Sequence, residues 1–410
     1  MPWNRPEPPP WLQRLNAHGT AVGGAEFLVS LEPEDLLDAA RTGTGLDDFG
    51  GDTWRPHFDV LVDALRSEAR LTVAGRLVAR TELVRALRQR LLLTAEWVND
   101  PTILEEKIDR PVFVVGTGRS GTSILHELLA LDPANRVPLT WELLHPGEAM
   151  APRAETARRA GHQVHSFWAD LQPAYESMHH NHGDEPNECI FATMLEFLSD
   201  QWGGSYEVPS YSAHLAGADQ IEAYRYHRKV LQTLQRRARA ARWVLKAPSH
   251  LSQLRTLFAV YPDARVIQIH RDPLRTVPST ISLMGTIRSM RGETVDVDRL
   301  APWVSLGYAA MLDDTMGART SGELPEAAFV DVRYADLMTD PVSTVRHAYA
   351  QLGLDVPSEL DRTIQDYLAS RPRLERGVHE YALADAGLEL DVERRRFQRY
   401  QSTYGVPDEL

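Results

Sequence analysis

The apolar run Pro111-Val-Phe-Val-Val-Gly116 leads straight into the loop Gly116-Thr-Gly-Arg-Ser-Gly-Thr-Ser123, and Ser120 to Leu131 then repeats apolar residues at helical spacing. A glycine-rich turn between a buried strand and a helix start gathers backbone N–H groups at the positive end of the helix dipole. Ser120, Thr122 and Ser123 add hydroxyl donors and Arg119 a forked cation, so the chemistry on offer is the binding of a phosphate-like anion. A triphosphate-binding loop would need Gly-x4-Gly-Lys-Ser/Thr; Gly116 and Gly121 keep that spacing, but Thr122 stands in the lysine's place. The Gly-x-Ser-x-Gly elbow of serine hydrolases also fails, because Thr122 replaces its last glycine. A tight turn without any ligand is the third reading of the loop taken alone.

A second segment, Ile267-Gln-Ile-His-Arg271-Asp-Pro-Leu-Arg-Thr-Val-Pro-Ser279, places an arginine just after a strand and a serine one helical stretch later. The two loops together resemble those of sulfotransferases that use 3′-phosphoadenosine 5′-phosphosulfate (PAPS), most of all their bacterial branch. There the first loop commonly reads Pro-Arg-Ser/Thr-Gly-Thr-Thr and the second ends in Arg-Asp-Pro…Ser. The segments Trp141-Glu142-Leu-Leu-His-Pro146, Asp184-Glu-Pro-Asn-Glu-Cys189, Lys246-Ala-Pro-Ser-His250 and Tyr334-Ala-Asp-Leu with Asp340-Pro341 share the likeness. So do Thr44-Gly-Leu-Asp-Asp-Phe-Gly50 and His379-Glu-Tyr381, and the whole resemblance spans residues 30 to 405. The departures are Gly118 for the usual proline, Ser123 for a threonine and Ala247 for a common serine.

The resemblance implies a P-loop-kinase-like α/β sheet without the triphosphate-clamping lysine. Gly118, Arg119, Ser120, Gly121, Thr122 and Ser123 would hold the 5′-phosphosulfate, and Arg271 with Ser279 the 3′-phosphate. Lys246 resembles the family lysine that reaches the transferring group, and Arg119 is the second cation. Neither requires a metal, and none is expected. His179, His180 and His182 would suggest one, but no second ligand cluster completes the set. Glu142 leads as general base, by likeness to the glutamate of tyrosine sulfotransferases. His182 and His250 are rivals, by likeness to the histidine of phenol sulfotransferases, and Glu185 is a further one. His250 has the alternative of merely capping the helix near Leu251. The expected reaction moves a sulfuryl group to a hydroxyl of a small-molecule, sugar or lipid acceptor. The competing functions are a nucleotide kinase or phosphotransferase on the same sheet, which would need Mg²⁺, and a nucleotide-binding protein without catalysis.

The elements that must position these residues follow from the rest of the chain. The 410 residues are 43% hydrophobic and 25% charged, ordinary for a globular enzyme, and no apolar run is long enough to span a bilayer. The net charge of −13 disfavours a nucleic-acid partner, so an anionic ligand must be held by local donors. Cys189 is the single cysteine, and the opening MPWNRPEPPPW lacks the pattern of a secretion signal, so a cytoplasmic location is expected. Residues 1–25 read as a proline-rich, partly extended arm. Residues 26–108 read as a helical segment, with helices over Glu32–Arg41, His57–Glu68 and Arg76–Val98. Residues 109–405 form the expected α/β domain, with further strands at Trp243–Lys246, Arg265–His270 and Ala327–Asp331 and a weak one at Val137–Thr140. Residues 145–240 read as a helical insertion that shapes the acceptor pocket, and its Trp, Tyr and His content suits a phenol, a sugar or a lipid alcohol.

Overall fold

The apolar runs read as strands lie side by side at the centre of the molecule. A computed structural model describes residues 3–149, 152–178, 182–370 and 382–410. Its sheet holds β1 (Val112–Val115), β2 (Asn135–Arg136), β3 (Arg242–Lys246), β4 (Arg265–His270) and β5 (Phe329–Arg333) in the order β2-β3-β1-β4-β5, with every neighbouring pair parallel. All four residues of β1 are buried, because helices cover both faces of a parallel sheet. Side chains alternate accordingly: Val112 and Val114 join one core with Ile267 and Val330, while Phe113 and Val115 join another with Leu245 and Val266. Val114 is in register with Lys246 and with Ile267, so β1 and β3 end within one residue of each other while β4 runs on to His270. Their following residues therefore share one edge, the place where ligands sit in such sheets.

The helices include α1 (Pro10–Ala21), α2 (Pro33–Thr44), α3 (Arg55–Ser67), α4 (Val73–Asn99), α5 (Thr122–Leu129), α6 (Thr140–Leu144), α7 (Ala154–Leu171), α8 (Ala174–Met178), α9 (Ile221–Arg237), α10 (Pro273–Ser289), α11 (Val297–Thr320) and α12 (Leu390–Tyr404). The amino-terminal helices share the main core. Leu36 of α2, Phe58 of α3 and Leu87 of α4 belong to one apolar cluster with Phe197, Trp202 and sheet residue Leu245. Two buried ion pairs fasten α4 to later segments, Arg90 to Glu196 at 2.5 Å and Glu82 to Arg291 at 3.1 Å. No helix among the described residues is long and apolar enough to cross a membrane.

Three boundaries differ from the sequence reading. The arm is extended only over its described residues up to Pro9; Pro10 then opens α1, since proline suits the first helical turn. The weak strand at Val137–Thr140 is absent: β2 ends at Arg136, and Leu139 makes only an isolated bridge to Pro186. Pro138 has no N–H to extend the ladder. The last strand begins at Phe329, because Glu326–Ala328 closes a single 3-10 turn first.

Candidate active site

The first loop is held in a conformation that costs backbone energy. Gly121, the N-cap of α5, has φ +100°, and a side chain there would meet the Tyr334 ring 2.6 Å away. Arg119 takes φ +67° without being glycine, a strained state that persists where surrounding contacts impose it. Those contacts are present. Arg119 Nε donates to Ser279 Oγ at 3.1 Å, its terminal nitrogen to the Met178 carbonyl at 3.0 Å, and its own carbonyl accepts from Arg271 at 2.9 Å. Arg119, Ser279 and Arg271 are thereby joined across 160 residues of sequence. Ser120 is fully buried and donates to the Thr117 carbonyl at 2.7 Å, while Thr122 is buried in the first turn of α5.

Gly118 faces the hydroxyl of Tyr308 on α11. A Cβ there would lie 2.5 Å from that oxygen, whereas Tyr308 bonds Thr280 at 2.9 Å. The phenol fills the space in which the resemblance has a proline, so the departure at Gly118 has a local cause. Burial pushes the Tyr308 hydroxyl up to about 12, so it stays a neutral donor. Gly118→Ala should destabilise the fold by about 1–3 kcal/mol, as overpacking does. Adding Tyr308→Phe should restore most of that loss in a denaturant titration, because the ring carbon beneath the oxygen is 3.8 Å from the new methyl. An equal loss in both variants would show that the hydroxyl is not what excludes a side chain.

Lys246 ends β3 only 3% exposed. Its Nζ donates to Ser123 Oγ at 3.1 Å and to Glu188 Oε1 at 2.6 Å. The sequence reading passed over Glu188, although it lies inside the segment Asp184–Cys189. A long-range contact places it: Cys189 N donates to the Lys246 carbonyl at 2.9 Å, which lays residues 187–189 beside the end of β3. No local spacing signals that pairing.

The expected bases are distributed differently. Glu142 is 1% exposed and is held by Arg136 and Arg237, each at 2.6 Å, and by the Leu139 N–H at 3.0 Å. Arg136 pairs in register with Trp243 and stacks on its ring, three residues before Lys246. The structure thus turns Glu142 back along the sheet as a helix cap and ion-pair centre, and does not bring it to the loop. His250 is likewise interior: Nδ1 lies 2.7 Å from the Tyr224 hydroxyl and the ring stands edge-on to Phe113. Burial, then the charges of His227 and Lys246, hold it well below the ordinary histidine range, so it is neutral. His182 is exposed, and its N–H donates to Glu185 Oε2 at 3.0 Å, which closes a local turn. His179 and His180 lie outside the described residues, as do His379–Tyr381. No group of three or more His, Cys, Asp or Glu side chains suited to a metal gathers among the described residues.

Arg271 is the centre of the second loop. Its guanidinium stacks 3.9 Å over Tyr334 and meets the Glu409 carboxylate at 3.2 Å. Asp272 is buried, capping α10 through Leu274 N at 3.0 Å and accepting from Glu409 N at 2.9 Å. Arg271 and Asp272 are thus both tied to Glu409. Glu409 was not foreseen, and its carboxylate takes the place on Arg271 that an anionic ligand would claim.

A strained loop opening a helix, a buried lysine at the next strand end and an arginine at the third are thus collected on one sheet edge. The model of the sulfotransferase family matches residues 111–358, more than half of the chain. The chain belongs to the sulfotransferase family. The omega-hydroxy-beta-dihydromenaquinone-9 sulfotransferase Stf3 of Mycobacterium tuberculosis is 30% identical over 275 residues, covering 64% of this chain and 67% of that protein. Among solved structures, the sulfotransferase STF1 of Mycobacterium tuberculosis H37Rv superposes with a TM-score of 0.78 at 32% identity, covering 89% of this chain and 98% of that one. STF9 of Mycobacterium avium gives 0.81 at 26%, covering 92% and 97%. The sulfotransferase is therefore a transferase enzyme on a P-loop-like α/β fold, as its two loops had implied.

Proposed function

We propose that this sulfotransferase takes a sulfuryl group from PAPS and places it on the hydroxyl of an apolar, lipid-type alcohol or phenol. The observation that carries the donor assignment is the joining of the two anion elements, with Arg119 bonded to Ser279 and Arg271 bonded to Arg119. A ligand with phosphate at both ends of one ribose fits two cationic elements braced against each other. Ser120, Thr122 and the N–H groups of the α5 start face the 5′ side, with Lys246 beside Ser123 to meet the leaving oxygen. Thr122 in the lysine's place argues against a triphosphate. The acceptor class is supported by the Stf3 relative, whose name gives it a menaquinone-derived substrate, and by the aromatic Tyr308 against Gly118 and Tyr175 on the helix whose Met178 carbonyl Arg119 reaches.

The donor assignment predicts that adenosine 3′,5′-bisphosphate raises the melting temperature without Mg²⁺. At a hundredfold excess over Kd the gain should approach about 2.7 kcal/mol. A response to ATP with Mg²⁺ and none to the bisphosphate would sink the assignment in favour of a phosphotransferase. Incubation with PAPS and a lipid extract, read by mass spectrometry, tests the acceptor: a sulfated alcohol or phenol is expected. Sulfation confined to sugars would overturn the acceptor class alone.

A further inference from the structure

We infer that Glu188 is the base that accepts the acceptor's proton, with Lys246 as the switch that releases it; the inference rests on the PAPS reading above. Lys246 Nζ touches Glu188 Oε1 at 2.6 Å and Ser123 Oγ at 3.1 Å, so one ammonium group separates this carboxylate from the donor loop. Among the carboxylates and imidazoles weighed for the role, Glu188 alone touches the strand-end lysine, and at 15% exposed it remains reachable. Its second oxygen, Oε2, accepts no hydrogen bond among the described residues, in contrast to the doubly ion-paired Glu142.

The backbone beneath Glu188 is fixed, which a base requires. Asn187 N donates to the Pro138 carbonyl at 3.0 Å, Asn187 Nδ2 to Thr140 Oγ1 at 2.9 Å, and Cys189 N to the Lys246 carbonyl at 2.9 Å. The segment is pinned on both sides of residue 188, while the carboxylate projects to the lysine. Arg119 reaches the Met178 carbonyl at the end of the helix that carries Tyr175, and Tyr308 lies against Gly118 of the same loop. In the proposed complex the acceptor hydroxyl lies between the Glu188 carboxylate and the donor loop.

The step balances without a redox partner. Glu188 takes the hydroxyl proton, and the acceptor oxygen forms its bond to sulfur. The bond from sulfur to the 5′-phosphate oxygen breaks, and its electron pair stays on that oxygen, opposite the Lys246 ammonium. The products are a sulfate ester and adenosine 3′,5′-bisphosphate, and the protonated Glu188 returns its proton to solvent. Before the donor arrives, Lys246 is paired with Glu188 and occupies its Oε1. As Lys246 turns to the phosphosulfate, Glu188 is freed.

The reverse reaction gives a test that needs no knowledge of the natural acceptor: transfer from aryl sulfates to adenosine 3′,5′-bisphosphate, with leaving phenols of graded acidity. In that direction Glu188 protonates the departing phenolate. Glu188→Gln should slow phenyl sulfate by about 10²–10³-fold and p-nitrophenyl sulfate by less than about tenfold, since p-nitrophenolate needs no acid. Bisphosphate affinity should stay within about threefold, because Glu188 does not hold the nucleotide. Glu142→Gln should lower the melting temperature and leave the dependence on phenol acidity unchanged. If Glu188→Gln unfolds, Glu188→Asp carries the same comparison. A uniform loss across the phenols in a variant that still binds bisphosphate overturns the role of Glu188 alone. Wild-type protein that does not bind bisphosphate overturns the donor reading, and this one with it.

Discussion

Lys246→Met is expected to lower turnover by about 10³-fold while PAPS binds almost as before, a barrier increase of about 4 kcal/mol. Methionine keeps the length and apolar stem of the lysine, so the 3% exposed site stays filled and the loss is that of the charge. The ammonium is proposed to act where negative charge develops on the leaving oxygen, and a buried fixed charge is worth far more there than one at the surface. The bisphosphate is the leaving group itself and carries that charge in full on its 5′-phosphate, so its binding should weaken, whereas PAPS, whose bridging oxygen is still bonded to sulfur, should bind almost as before. Glu188 loses its cation in the variant, so the melting temperature should fall as well. Single-turnover rates at saturating PAPS separate the two effects. The double variant Lys246→Met/Glu188→Gln should lose much less than the product of the single losses, because the two groups act as one unit. A single-variant rate within tenfold of wild type would remove Lys246 from the reacting centre.

What was legible in the sequence follows how local its cause is. β1, β3 and β4 were readable from short apolar runs, since burial on both faces leaves no other pattern. The Gly116–Ser123 loop was readable because strand, turn and helix start are contiguous. Glu188 was not, because the strand-end contact through Cys189 joins it to a lysine 58 residues away. Glu142 shows the opposite case. Its segment resembles one that carries a glutamate base in tyrosine sulfotransferases, yet Arg136 and Arg237 reach it from β2 and α9, and their approach depends on sheet register and helix packing. His250 follows a strand end and so looked accessible, but the 3-10 turn Pro248–Gln253 rotates it into the core against Phe113 and Tyr224. A likeness in sequence thus reaches as far as a segment, and long-range packing decides which of its side chains meets the strand-end lysine.

Arg271→Ala should weaken adenosine 3′,5′-bisphosphate by about 10- to 100-fold, the worth of a charge-assisted pair with a phosphate, and leave adenosine 5′-phosphosulfate almost unaffected. The second ligand lacks the 3′-phosphate, so the comparison isolates the group that Arg271 is proposed to hold. Glu409 adds a complementary arm. Its carboxylate lies 3.2 Å from Arg271, and its backbone is tied by Asp272 at 2.9 Å and by Arg275 at 2.8 Å. A 3′-phosphate must therefore replace or share an anion already in position. Glu409→Gln removes the charge and keeps the shape, so calorimetry should show bisphosphate binding several-fold tighter than in wild type, with 5′-phosphosulfate unchanged. Tyr334 stacking at 3.9 Å and the bond to the Arg119 carbonyl at 2.9 Å keep the guanidinium in place when Glu409 is neutral, so the gain is not offset by a loosened arginine. Opposite signs for the two variants on the same ligand are the decisive result. A decrease in both would make Glu409 part of the scaffold that orients Arg271, and no change in either would move the 3′-phosphate to another cation.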